Sequence, residues 1–287
     1  MRTMIIARLA LPAALLATLL ATSPRARAET TRCHEITSVP AVIATQGVYC
    51  LKQNLSTAIA SNPAIRIDTN NVAIDCNGHK LGGLAAGDGS LATGIQAIGR
   101  KNITIRNCSI RGFMTGVDLA GAGGGYHAID GNSFDNNLYK AVHVVGDGSS
   151  IRRNQVRDTG GSTRFFQAYG IEVSGNGVEV VDNLVDGVLG NDANAAGIKG
   201  LSTSGLLVRG NRIRNVSSGT ADPVFGITLS SSSSAAIIGN TVWASGALSA
   251  FGIGCGGTSS AARGNTVLDY SDANGIYACT ELDNSSN

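Results

Sequence analysis

Four ionisable residues occupy the same position in successive copies of a short strand motif, and their types suit acid–base chemistry. They are Asp118, His143, Glu172 and Lys199. A histidine suits proton transfer near neutral pH because its ordinary pKa is about 6.5. A neighbouring ammonium group can neutralise an anionic group of a substrate. The pattern therefore predicts proton transfer beside a negatively charged substrate group.

Further polar residues lie close in sequence to this row and extend the candidate site. The predicted catalytic residues are His143, Lys199 and Tyr169. The predicted substrate-binding residues are Asp118, Lys140, Arg164 and Glu172. An alternative interpretation gives the row no function, because opposite charges stacked about 4.8 Å apart also form exposed ion pairs worth at most about 1 kcal/mol.

Two alternating motifs repeat along most of the chain and predict the elements that position this row. The first motif, apolar-x-x-Asn-x-apolar, has as its fourth residues Cys108, Asn132, Asn154, Asn183, Asn211, Asn240 and Asn265, with Asn77 as an expected earlier member. The second motif, small-apolar-x-apolar, includes Gly170-Ile171-Glu172-Val173. Short β-branched strands separated by Gly, Asn and Ser turns are typical of a parallel β-solenoid. Stacked asparagine amides would bond the backbone and one another between its coils.

Composition and repeat together predict the fold class and its boundaries. The 287 residues include 38 Gly but only 6 Phe, 6 Tyr and 1 Trp, which argues against a helical bundle because Gly weakens helices by about 1 kcal/mol each. The predicted fold is all-β, a single right-handed parallel β-helix (solenoid) with an N-terminal cap. The expected divisions are a signal peptide over 1–28, a cap region over 29–60 and the parallel β-helix over 61–287.

Two segments carry a resemblance to a known superfamily. The segments Asn71-Val72-Ala73-Ile74-Asp75-Cys76-Asn77-Gly78-His79 and Asn102-Ile103-Thr104-Ile105-Arg106-Asn107 resemble right-handed parallel β-helix repeat proteins, over roughly residues 40–280. That superfamily includes pectate and alginate lyases, mannuronan epimerases, polygalacturonases and periplasmic binding or assembly proteins. The resemblance implies a scaffold that faces carbohydrate. The motifs that mark pectate lyases and polygalacturonases are absent, so it implies no named substrate.

The length of the connections predicts which edge of the solenoid carries the site. The longest connections from the first motif to the second span 155–169, 184–196 and 212–225. Loops on a rigid scaffold are where binding usually resides, and these loops should stack beside the row. The small residues of the second motif are expected to leave an open floor there, on which an extended chain would lie.

Three functions follow from these residues and the resemblance. The favoured one is a lyase that cleaves a uronic-acid-containing polysaccharide by β-elimination, with Lys199, Lys140 and Arg164 supplying positive charge. In that reaction His143 or Lys199 is the base, and Tyr169 donates a proton. The alternatives are an inverting glycoside hydrolase that uses Asp118 and Glu172, about 9–10 Å apart, and a non-catalytic carbohydrate-binding or surface protein. Calcium held by Asp118 and Glu172 is a possible cofactor.

The N-terminus predicts export. Arg2 and Arg8 precede the apolar run Leu9 to Ala21, and Ala26-Arg27-Ala28 is a small-x-small cleavage signal, so the mature chain should begin at Glu29. Removal of four of the 22 Lys and Arg leaves 18 against 20 Asp and Glu. This balance does not attract polyanions, which argues against nucleic acid as a partner. The expected protein is secreted or periplasmic and monomeric, has no stable membrane anchor and binds a polysaccharide.

Six cysteines in an oxidising compartment predict disulfide bonds, because their spacing lacks the paired CxxC pattern of zinc sites. Cys33 is expected to pair with Cys50. For the other four, the favoured pairs are Cys76 with Cys108 and Cys255 with Cys279, since each pair lies about one repeat apart; other pairings remain open.

Overall fold

The computed structural model describes residues 30–220, 222–243, 250–270 and 275–286. The predicted signal peptide over 1–28, and a membrane anchor as its alternative, lie outside the described residues. Within the described ranges, no helix is long and apolar enough to cross a bilayer.

Three parallel sheets of 11, 10 and 10 strands form the described chain, and each strand pairs with its counterparts one coil before and after. Sheet 1 contains His34–Glu35, Gly47–Cys50, Val72–Asp75, Ile103–Arg106, Ala128–Asp130, Ser150–Arg152, Glu179–Val181, Leu207–Arg209, Ala236–Ile238, Ala261–Arg263 and Thr280–Leu282. Sheet 2 contains Ala41–Ile43, Pro63–Ile67, Thr93–Ile98, Thr115–Ala120, Lys140–Val145, Ala168–Asn176, Ala195–Ser204, Val224–Ser233, Ala250–Thr258 and Ile276–Tyr277. Sheet 3 contains Leu55–Ser56, Lys80–Gly82, Ser109–Arg111, Ser133–Asp135, Gln155–Gly160, Leu184–Gly190, Arg212–Ser218, Thr241–Trp243, Thr266–Leu268 and Ser285–Ser286. A short 3-10 helix spans Leu84–Ala86.

Each coil passes through sheet 1, sheet 3 and sheet 2 in turn, and it sends apolar side chains from all three into one core. In the coil that begins at Ala128, these side chains are Ile129, Phe134 and Val142, all fully buried. The same alternation recurs in the neighbouring coils, so the core is a continuous stack along the molecule. The predicted all-β parallel β-helix is therefore confirmed. Within the predicted cap region 29–60, residues 34–56 contribute strands to all three sheets.

The predicted asparagine ladder is confirmed and lies in the turns between sheets 1 and 3. Each side-chain Nδ2 donates to Oδ1 of the asparagine one coil later, at 3.0 Å in every step. The same Oδ1 accepts the backbone N–H of the preceding asparagine at 2.9–3.0 Å. The members are Asn132, Asn154, Asn183, Asn211, Asn240, Asn265 and Asn284. These bonds satisfy buried polar groups that would otherwise destabilise the turns.

The ladder differs from the prediction at its two ends. Asn77 is not a member, because the corresponding position in its coil is His79, whose carbonyl accepts the N–H of Ser109. The Asn77 amide instead donates to the carbonyl of Leu51 and accepts the N–H of Thr30. Asn284 is a member that the sequence pattern missed, because Glu281 and Ser286 stand where the motif has apolar residues.

All three expected disulfides are confirmed. Cys33 pairs with Cys50, Cys76 with Cys108 and Cys255 with Cys279, with Cα–Cα distances of 5.8, 4.7 and 5.1 Å. The last two pairs each join adjacent coils, as their spacing of about one repeat predicts. The described residues contain no free cysteine.

A buried carboxylate ties the first described residues to the solenoid. Asp75 is 1% exposed, and its Oδ2 accepts hydrogen bonds from Thr30 Oγ1 at 2.6 Å and from Arg106 Nε at 2.8 Å. Its Oδ1 accepts the backbone N–H of Asn77 at 2.9 Å and a bond from Asn107 Nδ2 at 3.1 Å. Asp75 therefore accepts hydrogen bonds from four residues in three segments of the chain.

Asp75→Asn is expected to lower the free energy of unfolding at pH 7 by about 1–3 kcal/mol, because a neutral amide cannot accept all these bonds. Burial raises the pKa of Asp75, but the hydrogen bonds and the Arg106 charge together bring it below 3.8. The carboxylate's contribution is therefore complete above the unfolded pKa and is lost as pH falls through the lower folded pKa. Urea denaturation from pH 7 to pH 2 should show the difference between the two proteins shrinking below pH 3.8. A difference that does not vary with pH contradicts this assignment.

Candidate functional site

The predicted row of ionisable residues lies on the outer face of sheet 2. Strand register pairs Asp118 with His143, His143 with Glu172, and Glu172 with Lys199. Gln96 precedes them in the row, and the residues that follow are Thr228, Gly254 and Tyr277. One residue per coil thus reaches the same face, because the sheet 2 strands keep their register at this position.

A second row runs beside the first, at the start of each sheet 2 strand. Register pairs Lys140 with Tyr169, Tyr169 with Ala196, and Ala196 with Phe225. Lys140 and Tyr169 were predicted as site residues from sequence proximity alone, and the structure brings both of them to the first row. The Lys140 ammonium group contacts Glu172, and the Tyr169 ring contacts Lys199.

The predicted floor of small residues is wrong. The small residues of the second motif face the core, not the groove. A Cβ added to Gly170 would lie 2.8 Å from Val185 Cγ1, and one added to Gly197 would lie 2.4 Å from Ile213 Cγ2. Their small size lets sheet 2 pack closely on sheet 3 at the corner of each coil. The surface beside the first row is formed instead by the larger side chains of the second row.

Asp118 holds His143 in a defined orientation. His143 Nδ1 lies 2.8 Å from Asp118 Oδ1, and Gln96 Nε2 donates to Asp118 Oδ2 at 3.2 Å. Burial raises the pKa of Asp118, but the His143 hydrogen bond and charge, the Gln96 bond and the Lys140 charge lower it overall. Asp118 is therefore a carboxylate at neutral pH. When Nδ1–H donates to it, the other ring nitrogen of a neutral His143 is a proton acceptor.

Glu172 is the centre of the cluster, with basic side chains on three sides. It is 5% exposed, and Lys140 Nζ donates to its Oε1 at 3.1 Å. His143 Nε2 lies 3.7 Å from the same oxygen, and Lys199 Nζ lies 3.8 Å from Oε2. Oε2 is buried and accepts no hydrogen bond within the described residues. Its nearest charged neighbour is therefore the Lys199 ammonium group.

The two lysines differ in how exposed their side chains are and in which groups they contact. The Lys140 side chain is 11% exposed and is committed to Glu172. The Lys199 side chain is 20% exposed, and its Nζ lies 4.2 Å from the ring centroid of Tyr169. Lys199 also lines a cavity of ≈ 450 Å³ on the same face. The Lys199 ammonium group is therefore more accessible to a ligand than that of Lys140.

Two tyrosines beside the lysines remain protonated at neutral pH. Burial, with the nearby negative charge of Glu172, raises the pKa of Tyr169. Burial and the proximity of Tyr169 and Glu172 raise the pKa of Tyr139 to about 12. Tyr139 was not predicted from the sequence, although it directly precedes Lys140; its ring lies 4.8 Å from Lys140 Nζ. Both hydroxyls therefore carry their protons at neutral pH and can act as hydrogen-bond donors, and neither is a tyrosinate base.

Much of each predicted long connection is strand and not loop, because Gln155–Gly160, Leu184–Gly190 and Arg212–Ser218 belong to sheet 3. The loop 161–167 joins sheet 3 to sheet 2 and reaches back over earlier coils, where the Thr163 N–H donates to the carbonyl of Asp88 at 3.2 Å. Phe165 stacks on Tyr139 with ring centroids 4.7 Å apart, which holds the loop against the cluster. Arg164 is exposed on this loop, and its backbone N–H donates to Ser162 Oγ. The structure shows no contact between the Arg164 side chain and the cluster.

The cluster does not fit the calcium site considered from the sequence. Calcium takes six to eight oxygen ligands. The carboxylates are instead bound by basic side chains, Asp118 by His143 and Glu172 by Lys140. In the part of the chain that the structure describes, no three His, Cys, Asp or Glu side chains converge to hold a metal ion.

Comparisons with known proteins support the fold. Residues 93–287 match the family described as right handed beta helix region. The DFA-IIIase of Arthrobacter chlorophenolicus A6, in a structure without its lid, is 12% identical with a TM-score of 0.51, covering 84% of this chain and 70% of that one.

Two further structures have TM-scores below 0.5. The Dettilon tailspike protein is 14% identical with a TM-score of 0.45; the match covers 88% of this chain but only 60% of the tailspike. The A-module of the Azotobacter vinelandii mannuronan C-5 epimerase AlgE4 is 13% identical with a TM-score of 0.39, covering 85% of this chain and 80% of the module. The sequence matches no curated protein.

Proposed function

The chain belongs to the right-handed β-helix family, and from the side chains on the outer face of its sheet 2 we propose that it is a polysaccharide lyase. It cleaves a uronic-acid-containing polymer by β-elimination. The observation that carries this proposal is the pairing within the cluster. Each carboxylate is already bound by a basic side chain, Asp118 by His143 and Glu172 by Lys140. His143 Nε2 and Lys199 Nζ lie 3.7 and 3.8 Å from Glu172, beyond hydrogen-bond distance, and with the protonated Tyr169 hydroxyl they supply a base, a cation and a proton donor for the substrate.

Each of these groups has a role in β-elimination. His143 Nε2 removes the proton on the carbon beside the uronate carboxylate, and Asp118 orients the imidazole through Nδ1. The electron pair of that C–H bond forms a carbon–carbon double bond as the neighbouring glycosidic C–O bond breaks. The departing oxygen takes a proton from the Tyr169 hydroxyl. Lys199 neutralises the substrate carboxylate, where negative charge grows in the transition state.

The buried pair positions this machinery. Lys140 donates to Glu172 Oε1 at 3.1 Å and Lys199 Nζ lies 3.8 Å from Oε2, so the buried carboxylate positions both ammonium groups. Arg164, on the exposed loop over the cluster, binds a carboxylate of the polymer further along the chain.

Inverting hydrolysis by Asp118 and Glu172 is the alternative, and the geometry argues against it. That mechanism needs one protonated carboxylic acid and open space for a water molecule between the two carboxyl groups. The lowered pKa of Asp118 keeps it ionised. The His143 ring lies between the two carboxylates, 2.8 Å from Asp118 Oδ1 and 3.7 Å from Glu172 Oε1, and it occupies that space.

Incubation of the mature protein with polymannuronate, polyguluronate, polygalacturonate and neutral polysaccharides tests the proposal. We expect an ultraviolet absorbance that rises with new chain ends on at least one polyuronate, because the double bond is conjugated with the carboxylate. New reducing ends without that absorbance would instead indicate hydrolysis. Binding without either product would indicate a carbohydrate-binding protein.

We also propose that the protein works outside the cytoplasm as a monomer. Three disulfides support this location, since such bonds persist in oxidising compartments. Gel filtration of the mature protein tests the monomeric state.

A further inference from the structure

An aromatic column continues the second row beyond the cluster and has no role in the reaction above. Phe225 and Phe251 are paired in register, and their rings stack with centroids 5.2 Å apart and planes 18° apart. Tyr277 packs on Phe251 at 5.3 Å. Phe225 and Phe251 are both half-buried and not fully covered by protein. Because the two Phe rings stack along the solenoid axis, the free face of Phe225 points towards the coil of Lys199.

A cavity of ≈ 450 Å³ lies at that free face. Phe225, Ala196, Lys199 and Thr228 line it, together with Tyr169 and Asn194. A volume of this size falls within the range of pockets that hold small ligands. Ala196 lies between Tyr169 and Phe225 in the second row, so no large side chain of that row separates the two rings.

One end of this cavity is closed by Tyr277. Gly254 separates Thr228 from Tyr277 in the first row, and a Cβ at Gly254 would lie 2.4 Å from Tyr277 Cε1. The Tyr277 ring therefore lies back over Gly254, and its hydroxyl bonds the side chain of Thr228. Only a glycine at this position permits that arrangement, which fixes the wall of the cavity on the side away from the catalytic cluster.

The chemistry of the lining matches a single kind of ligand. Phe225 offers a flat apolar surface, and Thr228, Asn194 and Ser230 offer polar groups around it. Lys199 is the one charged side chain among the described residues that line the cavity. A sugar ring has an apolar C–H face and a rim of hydroxyls, and a uronate adds one carboxylate. The lining therefore suits a uronate better than a neutral sugar.

We propose that this cavity is a binding subsite for one uronate ring of the polymer, with Phe225 as its stacking platform and Lys199 as the partner of its carboxylate. The subsite deepens the proposed function and rests on it for the class of polymer. The ring held there is the reacting uronate itself, whose carboxylate Lys199 neutralises, and it lies between His143 and the wall formed by Tyr277.

Binding of defined oligosaccharides to the full mature chain tests the subsite separately from catalysis. The probes are saturated tetrauronates from polymannuronate, polyguluronate and polygalacturonate, with cellotetraose as the neutral counterpart. Calorimetry on the His143→Ala variant avoids cleavage during the measurement. On that background, Phe225→Leu is expected to weaken tetrauronate binding by roughly tenfold or more, because it removes the flat ring.

Phe251→Leu is the matched control. It breaks the same ring stack and should cost similar stability, but Phe251 does not line the cavity. Tetrauronate affinity in this variant should stay within about twofold of the background. Equal losses in the two variants would overturn the proposal, since they would make the column purely structural; so would tighter binding of cellotetraose than of every tetrauronate. If tetrauronates bind at Phe225 but no polyuronate is cleaved, the subsite stands and the lyase proposal fails.

Discussion

His143→Ala is expected to reduce turnover on the cleaved polyuronate by a factor of roughly 100 or more, because it removes the positioned proton acceptor. Lys199→Ala should reduce turnover by a similar factor, since the substrate carboxylate would lose its neutralising charge. His143 and Lys199 are both partly exposed side chains on the outer face of sheet 2, so the β-helix should still fold. Initial rates of ultraviolet absorbance and circular dichroism spectra measure the two effects.

Arg209→Ala is the control for these variants. Arg209 is exposed on sheet 1, on a different face from the cluster, and its replacement should leave turnover unchanged. If the His143 and Lys199 variants keep full activity, the row is only a ladder of ion pairs. If Arg209→Ala reduced turnover as severely as the His143 and Lys199 substitutions, the substrate groove would lie on sheet 1 and not on sheet 2.

The second large effect concerns stability. Asn183→Ala is expected to lower the free energy of unfolding by about 3 kcal/mol or more, because several buried polar groups lose their partners together. Asn183 is 2% exposed, and its Oδ1 accepts the Asn154 N–H while its Nδ2 donates to the Ile151 carbonyl at 3.0 Å. The ladder bonds to Asn154 and Asn211 are lost as well. The midpoint of urea denaturation measures the change.

Asn191→Ala is the matched control for the ladder, since it makes the same substitution at an exposed position on the loop after sheet 3. It should change stability by less than about 0.5 kcal/mol. Comparable losses in the two variants would mean that the buried amide network adds little beyond side-chain volume.

Part of the candidate site followed from the sequence. The order Asp118, His143, Glu172 and Lys199 along one face could be predicted because the side-chain period of a strand and the repeat together fix which residue points outward. Tyr139 could not be found in this way. It lies outside the strand motif, and its place beside Lys140 depends on how the corner of the coil turns.

The aromatic subsite illustrates the same limit. Phe225 and Phe251 precede the small residue of the second motif, at a position that a strictly alternating strand would direct inward. In the structure the small residue turns into the core instead, so the residue before it faces outward. The predicted floor of small residues failed for the same reason.

The sequence by itself determined the parallel β-helix and the central members of the asparagine ladder, because both depend on a feature that recurs once per coil and needs only the register to be satisfied. The tertiary structure alone decided the pairing within the cluster. Whether Glu172 meets Lys140, His143 or Lys199 depends on burial and on side-chain reach between adjacent coils, over separations of 27–32 residues in the sequence. It also decided that Tyr277 folds over Gly254 to close a cavity, since that contact depends on the space left by a missing side chain and not on any repeated pattern.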